Sequence, residues 1–383
     1  PLGVSHLYLS PILTAVRGSS HGYDVTDPTT VSAELGGADG LARLSAAARS
    51  RGMGLIVDIV PNHAGVAVPE QNPWWWDVLR HGRSSRYAGF FDIDWDLGAG
   101  RILLPALESA QELDGVTCQG DTLLVAGSVL PIAPGTDGGS ATQVLARQHY
   151  RLVDWRSGVC GYRRFLTVNS LAALRQEDER VFAATHREVA RWFAEGLVDG
   201  VRIDHLDGLA DPAGYLHRLR ALIGPQAWIV VEKNLACGEA LDPALPVAGT
   251  TGYDALRVIG GLFIDPDGAP ALTALALPSA TGPLTGLRAA TAATLDNDAQ
   301  RLLRAITAST GADHPRLPQA LVALLSRVGV YRSDYRTTEP ILPAAMAEAA
   351  AAEPELAPAL GIIAAAVAGG GEPAIRLQQL GVS

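Results

Sequence analysis

Four runs of aliphatic and β-branched residues punctuate the chain, and each ends in a burst of polar side chains. They are "HLYLSPI" (6–12), "GLIVDIVPNH" (54–63), "VDGVRIDHLDGL" (198–209) and "AWIVVEKNL" (227–235). Unbroken apolar runs of this length suit strands buried on both faces. Between or after them the apolar spacing becomes helical. "ADGLARLSAAARSRG" (38–52) sets Leu41, Leu44 and Ala48 on one face, and "DERVFAATHREVARWFAEG" (178–196) spaces Val181, Phe182, Val189 and Phe193 likewise, with Gly196 as C-cap. "DPAGYLHRLRALIG" (211–224) has Pro212 in the first turn and Gly224 after the last.

Strand–helix–strand alternation predicts an α/β fold with a parallel sheet. An open doubly wound sheet and a (β/α)8 TIM barrel compete. No GxGxxG or GxxxxGK[ST] follows a strand, which weakens the first, and polar residues at several strand ends suit the second. Residues 1–64 are therefore expected to begin the barrel and 176–265 to supply its catalytic strands. Residues 65–175, rich in Gly, Pro and Trp and containing the strand-like "DTLLVAG" (121–127), form a predicted loop-rich insertion. From 266 to 383 the composition shifts to Ala and Leu, as in "LRAATAATLDNDAQRLLRAI" and "PAAMAEAAAAEPELAPAL", which predicts a helical subdomain.

The net charge of −10 gives no basic footprint for nucleic acid. No stretch reaches the ~18–20 apolar residues of a membrane span; "LGIIAAAVAGGG" from Leu360 reads as a small-residue helix running into glycines. Cys118, Cys160 and Cys237 are odd in number and far apart, which argues against a disulfide framework or a structural zinc site and predicts a reducing compartment, the cytoplasm. No metal or cofactor is expected.

Asp204 and Glu232 each end a strand, and one helix separates the strands. Neighbouring strands lie ~4.8 Å apart, so the two carboxyls are expected at the ~5–5.5 Å separation of a retaining glycosidase, too close to admit a water for inversion. One would attack while the other, protonated, serves the leaving oxygen. The apolar "WIVVE" would raise the Glu232 pKa, and Arg202, two residues before Asp204, would keep the nucleophile ionised. A bare Arg202–Asp204 structural ion pair is the competing explanation, and Glu232 one strand later outweighs it.

Other polar clusters converge on the same rim. In "DIVPNH", His63 could donate to a sugar hydroxyl while Asn62 braces the loop. In "SSHGYDVTDP" (19–28), Tyr23 offers a ring face to a pyranose and is flanked by His21 and Asp24. In "NPWWWDVL", Trp74, Trp75 and Trp76 cannot all face one side of a helix, so at least one is core and another could stack on sugar.

"DIVPNH", "GVRIDHLD" and "VVEKN" resemble the signatures of the α-amylase clan of glycoside hydrolases and transglycosylases, glycoside hydrolase family 13. Within it, "HGYDVTDPTTVSAELGG", "GFFDIDWD", "LARQHYRLVDW" and "VAGTTGYD" are most similar to trehalose-forming intramolecular transglycosylases. The likeness covers most of residues 3–265. It implies a (β/α)8 barrel and conversion of the reducing-end α-1,4 link of a maltooligosaccharide into an α,α-1,1 link, with a trehalose-releasing hydrolase acting next. Asp204 would be the nucleophile, Glu232 the acid/base and Arg202 the group orienting Asp204. His63 and His205 would bind sugar hydroxyls, Tyr23 would stack beneath the sugar, Lys233 would contact the acceptor side, and Asp58 and Asn62 would be supporting. The clan's third carboxylate is an Asp following a His, and no such dipeptide occurs here. It is expected outside this chain, read as an internal piece of a longer one.

Overall fold

The computed structural model describes residues 3–275 and 297–381. The first ten residues of "LRAATAATLDNDAQRLLRAI" lie outside that set. The described residues form two compact units. One runs to Glu232 and includes Leu245–Ala248; the other comprises Lys233–Ala244 and the residues from Gly249 on.

The first unit is organised by four parallel strands, β1 (His6–Leu9), β2 (Gly54–Ile59), β3 (Gly200–Ile203) and β4 (Trp228–Val231). Their order in the sheet is their order in the chain. Doubly wound sheets reverse order at a switch point, whereas a barrel adds strands in sequence. Register runs His6↔Gly54 to Leu9↔Val57, then Gly200↔Ile56 to Ile203↔Ile59, then Gly200↔Trp228 to Ile203↔Val231. Val57, Val201, Ile203, Ile229 and Val231 are fully buried or nearly so, as strands covered on both faces require. Each strand is shorter than the run that predicts it.

Helix α1 (Gly37–Arg49) connects β1 to β2, and α4 (Pro212–Ile223) connects β3 to β4. Asp211 caps α4 by accepting from the Gly214 N–H, and Pro212 occupies the first turn. The helix expected over 178–196 is two, α2 (Glu179–Thr185) and α3 (Arg187–Ala194). The break falls at His186. The Thr185 hydroxyl donates back to the Val181 carbonyl, and the buried His186 ring stacks on Phe182 at 4.2 Å with Nε2 2.8 Å from the Tyr215 hydroxyl. Side-chain bonds of this kind compete with the helical ladder.

Between β2 and α2 the chain builds its own core around Trp74, Trp75, Phe91, Ile102, Leu123 and Tyr150. Ile102–Leu107 pairs in parallel with Tyr150–Asp154, and a three-stranded meander spans Thr117–Pro131. A hairpin, Arg164–Phe165 with Val168–Ala173, then returns to the rim, where Ala173 pairs with His63. This return brings the excursion's last residues beside the ends of β2 and β3.

In the second unit, helices Asn297–Thr310, Leu317–Leu325, Ile341–Ala352, Ala357–Ala368 and Glu372–Leu380 enclose a core of Leu, Ile and Ala. Among the described residues no single helix is long and apolar enough to cross a membrane.

Candidate active site

The site sits where β2 and β3 end. Asp58 and Arg202 face each other across the ladder, so their side chains project from the same face. Arg202 Nη1 lies 2.9 Å from Asp58 Oδ2 and 2.6 Å from Asp204 Oδ1, and Nη2 lies 3.2 Å from Glu232 Oε1. One guanidinium thus bridges three carboxylates. Asp204 N donates to Ile59 O and Glu232 N to Ile203 O, continuing the parallel ladder one residue past each strand. Asp204 and Glu232 therefore occupy facing positions on adjacent strands.

Burial works against the Arg202 charge, but Asp58, Asp204 and Glu232 outweigh it and hold the guanidinium protonated more firmly than usual. Burial raises the Asp58 pKa, while Arg202 and hydrogen bonds from the Tyr8 and Tyr23 hydroxyls, at 2.6 and 2.7 Å, oppose the rise. Burial, followed by the Glu232 charge, pushes Asp204 up to about 7 against the pull of Arg202.

The apolar setting expected for Glu232 is not what its carboxylate meets. Oε1 faces Arg202, Oε2 accepts from the His205 backbone N–H at 2.8 Å, and the side chain keeps 25% of its surface exposed. The aliphatic residues of β4 flank its backbone, not its charge.

His63 and His205 both pack against Phe165, with ring centroids 4.8 and 4.7 Å away. Burial lowers their pKa values to about 3 and about 4, so both rings are neutral. His63 Nε2 is buried without a hydrogen-bond partner among the described residues, as a group awaiting a ligand hydroxyl would be. His205 takes a left-handed backbone, φ 48°, which turns the chain out of β3. Gly208 closes that turn: a Cβ there would lie 2.4 Å from the His205 ring and 2.7 Å from Asn62 Oδ1. Asn62 is in turn held by Arg163 Nη1 at 3.1 Å, and Arg163 is paired with Asp92.

The remaining predicted residues sort differently. Burial pushes the Tyr23 hydroxyl up to about 12, and its ring stacks on His21 at 6.0 Å. Asp24 accepts from Ser19 Oγ and lies 3.8 Å from His21, so this pair shapes the loop carrying Tyr23. Lys233 is buried in the second unit, 3.1 Å from Glu239 and 4.6 Å from the Tyr335 ring. Those contacts occupy its ammonium, in contrast to the acceptor contact expected of it. Tyr8 and Phe165 belong to the site and were not singled out from sequence; each owes its place to a partner more than 35 residues away.

The catalytic-domain model of alpha amylase matches residues 1–217. The chain is 63% identical over 386 residues to a "Putative maltooligosyl trehalose synthase" of Mycobacterium tuberculosis H37Rv, covering 99% of this chain and 50% of that protein. The solved maltooligosyltrehalose synthase from Arthrobacter ramosus superposes with a TM-score of 0.93 at 46% identity, covering 99% of this chain and 51% of that one. A hypothetical maltooligosyl trehalose synthase from Sulfolobus tokodaii gives 0.81 at 34%, with the same two coverages. The chain thus spans about half the length of the relatives it matches. Its parallel strands in sequential order are those of a (β/α)8 barrel, and the chain belongs to the alpha-amylase catalytic-domain family.

Proposed function

We propose that this chain carries the nucleophile and the acid/base of an intramolecular transglycosylase that converts maltooligosaccharides into maltooligosyl trehaloses. The observation that carries the reading is Arg202 holding Asp204 and Glu232 at facing positions on adjacent strands, an arrangement suited to retaining double displacement. In the first step Asp204 attacks the anomeric carbon of the penultimate glucose. Glu232 gives its proton to the departing O4 of the terminal glucose, and a covalent glycosyl-enzyme results. Protonation of Glu232 removes one of the charges that raise Asp204 and so eases its ionisation beside Arg202, against the burial that still opposes it. The released glucose turns, its anomeric hydroxyl attacks the glycosyl carbon, and Glu232 recovers the proton. Two inversions at the donor carbon, the second displacing Asp204, restore its α configuration, and attack by the α-anomer of the released glucose gives an α,α-1,1 link.

His63 and His205, neutral and packed against Phe165, would bind hydroxyls of the sugar bonded to Asp204, and Tyr23 would lie beneath it. Asp58 and Asn62 would hold Arg202 and the loop. The intermediate must outlive the rotation of the glucose, so water must be kept out; Phe165 and the hairpin that carries it supply apolar cover at that point. The product would be a substrate for a trehalose-releasing hydrolase, and the reading sets both steps in the cytoplasm.

Incubating the full-length gene product with maltopentaose tests this. Unchanged mass with loss of reducing power is the expected result. Shortened products would make the protein an α-1,4-glucan hydrolase with the same carboxylates.

A further inference from the structure

The three consecutive tryptophans have separate fates. Trp74 and Trp75 enter the core, edge-on to Phe90 and to Phe91 and Tyr162. Trp76 is half-buried, and among the described residues its ring meets no other aromatic ring and its indole N–H donates to no acceptor. Helix Pro73–His81 turns it outward with Asp77, Arg80 and His81, at positions i, i+1, i+4 and i+5. These four, with Glu70 and Pro134, line a groove of about 600 Å³.

We propose that this groove is a second oligosaccharide site, separate from the catalytic centre, with Trp76 as its stacking platform. Its volume lies within the ~300–1,000 Å³ usual for small-molecule sites. The lining pairs an apolar floor of indole and proline with two acids and two bases, so it offers hydroxyl acceptors and donors without a dominant charge. That balance suits a neutral polyol better than an anion or a cation. Asp77 and His81 stand 3.8 Å apart, and Arg80 reaches Asp121 at 3.0 Å. Asp77 also accepts from the Ser85 hydroxyl at 2.5 Å, which fixes the carboxylate at the groove's edge.

Position favours the same occupant. Asn72, which caps the helix by accepting from the Trp75 N–H, donates to the carbonyl of Gly65, two residues beyond His63. The platform is thereby fastened to the catalytic rim. The choice of glucan rests on the proposed function; the groove's existence as a sugar site does not.

The test is titration of the full-length product with α-cyclodextrin, which has no reducing end to enter the catalytic reaction, read by tryptophan fluorescence and calorimetry. The expected result is saturable binding, weakened at least tenfold by Trp76→Ala and less by Arg80→Ala, and unchanged by Asp204→Asn. Arg80→Ala removes only an exposed ion pair, so it separates lost binding from lost folding. Binding equal to wild type in Trp76→Ala, no binding at all, or binding abolished by Asp204→Asn would each overturn the proposal. Failure of the maltopentaose isomerisation with cyclodextrin binding retained would sink the proposed reaction and leave the groove standing.

Discussion

Asp58, Arg202 and Asp204 are nearly as buried as Leu302, Ala320 and Ile363, yet the two sets are held inside by different physics. The helical core of the second unit removes aliphatic surface from water, each side chain adding its own favourable transfer free energy. At the strand ends of the first unit, burial strips water from charges, and the cost is offset only while every partner of Arg202 stays in place. The helical core is a sum of separate contributions, and the strand-end cluster is a single interlocked one. A carboxyl pushed up to about 7 against the pull of its own guanidinium is the mark of a site shaped for reactivity at the expense of stability.

Four experiments press on that difference. Asp204→Asn removes the attacking oxygen and is expected to lower turnover of maltooligosaccharides roughly 10⁴-fold or more, with oligosaccharide binding still measurable by calorimetry. Arg202→Ala leaves three carboxylates facing one another and is expected to cost ~3–5 kcal/mol in denaturant unfolding. Arg202→Lys should not restore it, because a single ammonium cannot span the fork. Ile363→Ala is expected to cost about 2–4 kcal/mol while isomerisation at a temperature below unfolding stays as it was; a fall in turnover would show that the two regions are not energetically separate. The smallest effect concerns pH. Burial lowers the pKa of His63 to about 3 and those of His186 and His205 to about 4. Below about pH 6.5 the unfolded chain takes up protons on these rings that the folded one refuses, so the three histidines lower stability as pH drops from there towards 4, while Asp58 and Asp204, raised by burial, pull the other way. His186→Gln should flatten that slope in thermal melts recorded across the range.

What sequence reveals follows the range of the forces involved. The four strands are legible because β-branched runs and their polar tails are local properties, and Asp204, Glu232, Arg202 and Asp58 follow from them directly. Lys233 sits beside Glu232 in the same motif but beyond the end of β4, and its partners Glu239 and Tyr335 come from further along the chain, which the motif does not show. Tyr8 and Phe165 could not be found this way, since Tyr8 acquires its role from Asp58 and Phe165 from two histidines, one ahead of it in the chain and one behind. The break at His186 is equally hidden. Helical spacing runs straight through it, and only the hydroxyl of Tyr215, supplied by a different helix, shows what the imidazole is doing there.

Gly208 sets a limit on how this rim can be altered. Its hydrogen stands where any heavier substituent would strike the imidazole of His205, and that ring is already braced by Phe165. Libraries that vary the rim should therefore hold position 208 invariant and, on the 164–173 hairpin, spare Phe165, whose ring packs against both His63 and His205.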